Sequence, residues 1–330
     1  MSSDLRLVGD IGGTNARFAL VADNARASRV RVFAADDYAT IDDAIDAYLA
    51  AEGVHPKLAA LSVASPVIGD TVSLTNHPWS FSIAALRQRL GLERLLVIND
   101  FTANALAMPH LEPGERVAVG GGSAVPGAPI AVIGPGTGLG VSGLVSAPSG
   151  WIALAGEGGH ATMPASDARE AELLARMRSR FDHVSAERVL SGPGLVNLYQ
   201  TLAEIDGTPA HAYTAAQIAD RHIGETDPLA RAAIDLFCAM LGTVASDLAL
   251  TLGARGGVFI AGGIVPRLGQ AFVESRFRSR FEDKGRFRDY LAAIPTFVVT
   301  CAVPAFLGLA ALLQRETAAK RSLAPLSPRG

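Results

Sequence analysis

The sequence predicts an α/β protein of two domains, and three observations predict it. Apolar strand-like runs alternate with helix-like runs along the chain, the pattern of an α/β sheet. The length, 330 residues, fits two domains. One arrangement also recurs: an apolar strand, a Gly/Thr turn and a second strand occupy Leu7–Val21 and again Ala131–Val145. The first copy reads Leu7-Val8-Gly9-Asp10-Ile11-Gly12-Gly13-Thr14-Asn15. The second reads Ala131-Val132-Ile133-Gly134-Pro135-Gly136-Thr137-Gly138-Leu139-Gly140. Glycine lets backbone N–H groups converge and lets an oxygen-rich ligand come close. Either turn alone is compatible with a plain hairpin; two in the same style point to a duplicated domain gripping a polyphosphate between its halves.

The elements follow in order. Leu5–Asp10, Ala16–Ala22 and Ser28–Ala34 read as three strands of a meander, and Ile41–Glu52 has helical spacing. Leu58–Ala64 is a short buried strand, Ser65–Asp70 a turn and Thr71–Asn76 an extended piece. Ile83–Leu90 reads as a helix. Leu95–Asn99 is a buried strand that leads through Asp100 into a helix at Phe101–Met108. Pro109–Gly114 carries two prolines and a glycine and is the candidate domain boundary, dividing a small domain, 1–110, from a large one, 111–303. Beyond it the plan restarts with strands at Ile130–Ile133, Val141–Val145 and Trp151–Ala155. Long helices are expected at Asp167–Phe181, Gly194–Ile205, Thr214–His222 and Asp227–Leu252, and a strand at Gly257–Ala261 runs into Gly262-Gly263.

Leu291–Leu313 has no charged residue and is long enough to span a bilayer. Pro295 and Pro304 cut it, however. A strand at Thr296–Val303 and a helix at about 304–316 explain it better, because proline suits the first turn of a helix. The polar, proline-bearing stretch 318–330 reads as a loose tail.

Composition excludes several classes. The net charge of −3 and the lack of a basic block argue against nucleic acid or an anionic membrane as partner. The two cysteines, Cys238 and Cys301, are far apart, which fits a reducing compartment, rules out a cysteine-rich zinc site and leaves both as buried small apolar residues. Met1-Ser2-Ser3-Asp4 lacks the basic start of a secretory signal, so a cytoplasmic protein is expected. No Gly-x-x-x-x-Gly-Lys-Ser/Thr occurs, so the chain is not a Walker-type protein. Gly134, Gly136, Gly138 and Gly140 recur at every second position, which misses the dinucleotide fingerprint. His-Arg-Asp and Asp-Phe-Gly are absent, which excludes the protein-kinase fold. Between Arg116 and Glu157 no residue is charged, so any phosphate bound there is held by backbone amides rather than lysines.

The candidate residues each carry two readings. Asp10, Gly12, Gly13, Thr14 and Asn15 form either a phosphate cradle, with Asp10 near a nucleotide-bound metal ion, or a hairpin whose Asp and Asn cap turns. In the second turn Gly136, Thr137 and Gly138 add a hydroxyl for a phosphate oxygen. Asp100 ends a strand at the edge where α/β sheets collect ligands, so it is either a general base for a substrate hydroxyl or a helix N-cap. Glu157-Gly158-Gly159-His160 has a metal-ligand spacing, but its central glycines disfavour a helix and no second such pair exists, so no metal site is assigned. It reads as a loop offering a carboxylate and an imidazole to a polar ligand, or as a surface turn. Glu187 is a third such group or a solvated helix residue. Gly262-Gly263 lets a base or ribose lie on the backbone, or allows close helix–sheet packing.

From about Leu7 to Leu313 the chain resembles the bacterial ATP-dependent glucokinases, on the residues of both glycine turns, Leu74-Thr75-Asn76-His77-Pro78-Trp79, Ile98-Asn99-Asp100-Phe101, Gly156-Glu157-Gly158-Gly159-His160, and Glu187 with Ser191-Gly192-Pro193-Gly194. The resemblance implies the actin/hexokinase-like (ribonuclease H-like) ATPase fold with an interdomain cleft, the last helix packing back on the small domain. It implies an enzyme that uses ATP and Mg²⁺ to phosphorylate glucose at O6, the entry to glycolysis. Residues matching Asn99, Asp100, Glu157, His160 and Glu187 hold the sugar in that family, and the residue matching Asp100 is the base. The turns Asp10–Asn15 and Gly136–Gly138 match its phosphate loops and Gly262-Gly263 its adenosine site. The related repressor/kinase branch has a cysteine-rich zinc motif for which this chain lacks the cysteines. A homodimer is the family's expectation. The rival classes are an actin-like ATPase indifferent to sugar, a sugar-sensing regulator and a kinase of another hexose.

Overall fold

The computed structural model describes residues 5–22, 26–224 and 226–323. The chain divides into two compact units. Unit 1 is Met1–Leu111, Ala147–Ala155 and Ala302–Gly330; unit 2 is Glu112–Ser146 and Gly156–Cys301.

The sheet of unit 1 is built from β1 (Arg6–Ile11), β2 (Asn15–Val21), β3 (Ser28–Ala34), β4 (Leu58–Val63) and, after the small hairpin of β5 (Thr71–Ser73) and β6 (Ser80–Ser82), β7 (Arg94–Asn99). Its order is β3-β2-β1-β4-β7. β1 and β2 run antiparallel, while β4 is parallel to β1 and β7 to β4. Alternation along β1 sends Leu7 and Ile11 to one face and Val8 to the other. The first face packs on Ile41, Ile45 and Tyr48 of α1 (Ile41–Glu52). That helix is set by a capping box between Thr40 and Asp43 and stopped at Gly53. After α2 (Ile83–Arg89), α3 (Asp100–Ala107) covers the other face with the last helix, Pro304–Leu323, burying Ala103, Phe306, Leu309 and Leu313.

The second sheet contains β8 (Arg116–Ala118), β9 (Ile130–Pro135), β10 (Leu139–Ala147), β11 (Gly150–Gly156), β12 (Val258–Ile260) and β13 (Thr296–Val299), in the order β11-β10-β9-β12-β13-β8. β9 and β10 are antiparallel, β12 is parallel to β9 and β13 to β12. The run β2-β1-β4-β7 thus recurs as β10-β9-β12-β13 with the same directions. Each glycine turn joins the two antiparallel strands of its own copy, so the recurrence in sequence is a recurrence in topology.

Unit 2 adds α4 (Ala168–Arg178), α5 (Gly192–Asp206), α6 (Ala215–Ile223) and α7 (Pro228–Leu252). Asp227 caps α7 and Pro228 occupies its first turn. Among the described residues α7 is the one helix long and apolar enough to cross a membrane, and 72% of its apolar window is buried inside the fold. The apolar stretch that drew attention in the sequence resolves into β13 and the last helix. β13 is four residues long and stops at Val299, short of the expected Val303. The last helix continues to Leu323, into the segment expected to be a tail, since neither proline nor glycine interrupts 316–323. Residues 324–330 of that expected tail lie outside the described residues. Between Ile264 and Ala292 the chain forms short helices at Ile264–Leu268, Gln270–Val273, Phe277–Glu282 and Arg288–Ala292, each too short for a helical period to be read from sequence. Cys238 is buried, and burial pushes its thiol up to about 12; Cys301 is only half-buried.

Unit 2 also encloses an ion pair. Arg280 Nη1 lies 2.6 Å from Glu170 Oε1, and the two side chains are 8% and 0% exposed. The Ser166 amide donates to the other Glu170 oxygen at 2.7 Å. Removing Glu170 takes away the close, fully buried partner and leaves the Arg280 guanidinium with the half-exposed Asp167 carboxylate at 3.7 Å and the Thr243 hydroxyl at 3.4 Å. Glu170→Ala is therefore expected to lower the stability to unfolding by about 3–5 kcal/mol, read from urea unfolding curves. A midpoint unchanged from the parent protein would show that the pair is not structural.

Candidate functional site

The first turn stands at the carboxyl end of β1. Gly12 donates to Asn15 O at 2.9 Å, Ala64 to Ile11 O at 3.0 Å and Ala35 to Thr14 O at 2.9 Å, so the turn is closed on itself and tied to its neighbours. No hydrogen bond within the described residues takes the amides of Gly13 and Thr14. The Asp10 carboxylate is half-buried just before the turn. Arg17, opposite it on β2, donates to Oδ2 at 3.1 Å, and the Ser62 hydroxyl, opposite it on β4, donates to Oδ1 at 3.0 Å. Register alone brings these three side chains together. Arg17 and Ser62 are functional neighbours that the sequence reading missed, because strand pairing has no signal in a single strand.

Asn99 and Asp100 lie at the same edge of the sheet, since Val63 of β4 pairs with Asn99 of β7. The structure corrects one reading here. Asn99, not Asp100, is the N-cap of α3: its Oδ1 accepts from the Phe101 and Thr102 amides at 2.9 and 3.2 Å. Asp100 is the first helical residue, and its Oδ1 accepts from the Phe101 amide at 2.9 Å. At the positive end of a helix an ionised carboxylate is favoured.

The second turn follows the same plan. Gly136 donates to Gly138 O at 2.8 Å, Gly192 donates to Gly136 O at 2.8 Å, and the Leu139 amide donates to Glu187 Oε2 at 2.8 Å. The amides of Thr137 and Gly138 have no partner within the described residues. Thr137 is exposed, as Thr14 is in the first turn. Glu187 is half-buried in a loop against this turn, not a solvated helix residue. Glu157 precedes a 3₁₀ turn, Gly158–His160, of which His160 is the last residue, and both side chains are exposed. The chain after that turn pairs with 184–187, through Met163 N to Val184 O at 3.0 Å, Ala186 N to Ala161 O at 2.8 Å and Glu187 N to Gly159 O at 2.9 Å. Glu157, His160, Glu187 and the second turn thus form one group in unit 2, as Asp10, the first turn, Asn99 and Asp100 do in unit 1.

The Gly262-Gly263 pair divides. Gly262 has φ +84 and a Cβ there would meet Pro135 O at 2.4 Å, so its glycine is required by packing against the strand that leads into the second turn. Nothing lies within 4 Å of a Cβ at Gly263, which starts the short helix Ile264–Leu268 and leaves its surface open. Among the described residues no group of three or more His, Cys, Asp or Glu is placed to hold a metal ion.

Comparison with known proteins places these features in a family. The family model for glucokinase matches residues 7–316. A glucokinase of Aromatoleum aromaticum is 53% identical over 95% of this chain and 96% of its own length. A glucokinase of Paramagnetospirillum magneticum is 56% identical over 94% of this chain and 98% of its own. The crystal structure of a glucokinase from an Antarctic psychrotroph superposes with a TM-score of 0.86 at 39% identity, covering 94% of this chain and 99% of that one.

The cap on α3 predicts a stability effect separable from catalysis. Asn99→Ala is expected to destabilise the protein by about 0.5–2 kcal/mol, and Asn99→Asp, which keeps a capping oxygen, by much less. Equal thermal shifts for the two variants would show that capping is not what Asn99 does.

Proposed function

Because the chain belongs to the glucokinase family, we propose that it moves the terminal phosphoryl group of ATP to the 6-hydroxyl of glucose with Asp100 as the base, giving glucose 6-phosphate and ADP. The observation that carries the residue assignments is the pair of equivalently placed turns, each holding two adjacent amides that the fold leaves uncommitted. Adjacent amides without a partner in the fold suit an anion with several oxygens. Gly12, Gly13, Thr14 and Asn15 of the first turn and Gly136, Thr137 and Gly138 of the second are assigned to the phosphates, and Gly262-Gly263 to the adenosine. Asn99, Asp100, Glu157, His160 and Glu187 are assigned to the sugar. A hexose presents hydroxyls that both donate and accept, and this set of carboxylates, an amide and an imidazole matches them. Leaving one such group unpaired costs about 1–3 kcal/mol, which separates a matching sugar from its epimers.

Phosphoryl transfer needs little covalent help from the protein; positioning and charge neutralisation do most of it. Asp100 orients the alcohol and accepts its proton as the bond to phosphorus forms. Asp10 fits a magnesium ion travelling with the nucleotide. It is a hard oxygen ligand beside the first turn, and because Arg17 and Ser62 already donate to its two oxygens, contact through metal-bound water suits it better than direct ligation. When bound, magnesium neutralises phosphate charge. The free cysteines fit a cytoplasmic enzyme, and the homodimer implied by the family is a matter for sedimentation.

Coupled measurement of ADP release against a panel of sugars, with a sugar-free control, tests the reading. Glucose is expected to stimulate release strongly. Turnover indifferent to sugar would replace the kinase by an ATPase of the same fold. Asp100→Asn is expected to lower kcat by about 10²–10⁴-fold, the usual worth of a general base, with the fold retained. Near-parental turnover by that variant defeats the assignment of Asp100.

A further inference from the structure

Glu187 occupies the junction of the second turn and the Glu157–His160 segment. Its Oε2 accepts the Leu139 amide at 2.8 Å, directly after the turn, and its own amide donates to Gly159 O at 2.9 Å. The two segments are in close contact: a Cβ on Gly159 would stand 2.0 Å from Leu139 O, and one on Gly138 would stand 2.5 Å from Glu187 Oε2. The Ser191 hydroxyl donates to Glu187 O at 2.7 Å, and the Gly192 amide to Gly136 O at 2.8 Å. Both ends of the turn, Gly136 and Leu139, are therefore tied to the segment 187–192. None of these ties uses the amides of Thr137 or Gly138.

We propose that Glu187 is a positioning residue for the nucleotide as well as a sugar ligand: one carboxylate oxygen fixes the second phosphate turn while the other takes a sugar hydroxyl. An ionised carboxylate accepts at about four lone-pair sites, so the Leu139 amide leaves most of its capacity for a ligand. A sugar that fixes the carboxylate fixes with it the amide end of the turn. Occupancy by the sugar is thereby communicated over one side chain to the backbone that receives the phosphates, in the manner of a coupling between two ligands. The sugar half of this inference rests on the glucokinase reading above; the tie to the turn does not.

Titration calorimetry with a non-hydrolysable ATP analogue in the absence of sugar tests the tie, beside KM for glucose and for ATP. Glu187→Ala is expected to weaken sugar-free binding of the analogue about tenfold, the worth of a hydrogen bond to a charged group. Glu187→Gln keeps an oxygen for the Leu139 amide and is expected to stay within about twofold of the parent for the analogue while raising KM for glucose. Gly138→Ala retains the carboxylate but places a methyl where Oε2 sits. It is expected to raise KM for glucose although the change lies in the phosphate turn. Thermal unfolding within a few degrees of the parent certifies each variant as folded. Parental analogue affinity in folded Glu187→Ala overturns the proposal. Weakened analogue binding in that variant with parental KM for glucose upholds the tie and overturns instead the assignment of Glu187 to the sugar.

Discussion

A turn that aims several amides at one ligand has to be held in shape by everything except those amides. Adjacent N–H dipoles pointing the same way repel one another, and a run of glycines has no side chains to prop it. In both turns of this chain the flanking groups supply the restraint. Gly12 closes on Asn15 O, and Ala64 and Ala35 take the carbonyls of Ile11 and Thr14. Gly136 closes on Gly138 O, Gly192 takes Gly136 O, and Glu187 takes the Leu139 amide. In each case the donors left over are the two at the apex. That remainder is what the rest of the site is arranged around. The antiparallel pair delivers the turn to the end of a sheet, and the parallel strands beside it deliver other side chains to the same edge.

The strand-to-helix passage at Asn99-Asp100 solves a related problem. A helix start leaves amides without partners, and the nearest carboxylate is the natural group to satisfy them. Asp100 takes part, its Oδ1 accepting from the Phe101 amide at 2.9 Å. Asn99 takes that task with its amide oxygen, one residue earlier. Asp100 then sits in the first turn, where the helix end favours its charge. The neutral residue caps two amides, those of Phe101 and Thr102, and the ionisable one beside it shares the first. At α5 the Ser191 hydroxyl caps the helix and Glu187 faces the second turn.

How much was legible follows from range along the chain. The strands β1 and β2, the helices α1 and α7 and the glycine turns are each written in a continuous stretch of chain, and the sequence carries them. The matching strand directions of the two sheets were foreshadowed by the repeated turn. What depended on register was not legible: Arg17 and Ser62 reach Asp10 across two strand pairings, 7 and 52 residues away in sequence. Glu187 reaches Leu139 over a separation of 48 residues, so nothing local distinguished it from a solvated acid. The short helices between Ile264 and Ala292 were missed for a different reason, since four to six residues span less than two helical turns and show no recurrence. The cap reading offered for Asp100 beside its reading as a base rested on the preference of Asp for caps; a residue of equal preference stands one position earlier.

The absence of charge from 117–156 has a consequence for selectivity. A lysine cradle attracts any polyphosphate over a Debye length of about 8 Å at physiological salt, whatever the orientation of the loop. An amide acts only over hydrogen-bond distance and only when aligned. A turn made of amides alone therefore grips a phosphate in proportion to how well its own geometry is fixed. In the second turn that geometry depends on a carboxylate, Glu187, rather than on backbone contacts alone. For an enzyme in which water competes with an alcohol for the same phosphoryl group, this is a useful dependence. A nucleotide site built from fixed positive charge needs no such alignment; in this chain the hydrogen bond from the Leu139 amide to Glu187 supplies it.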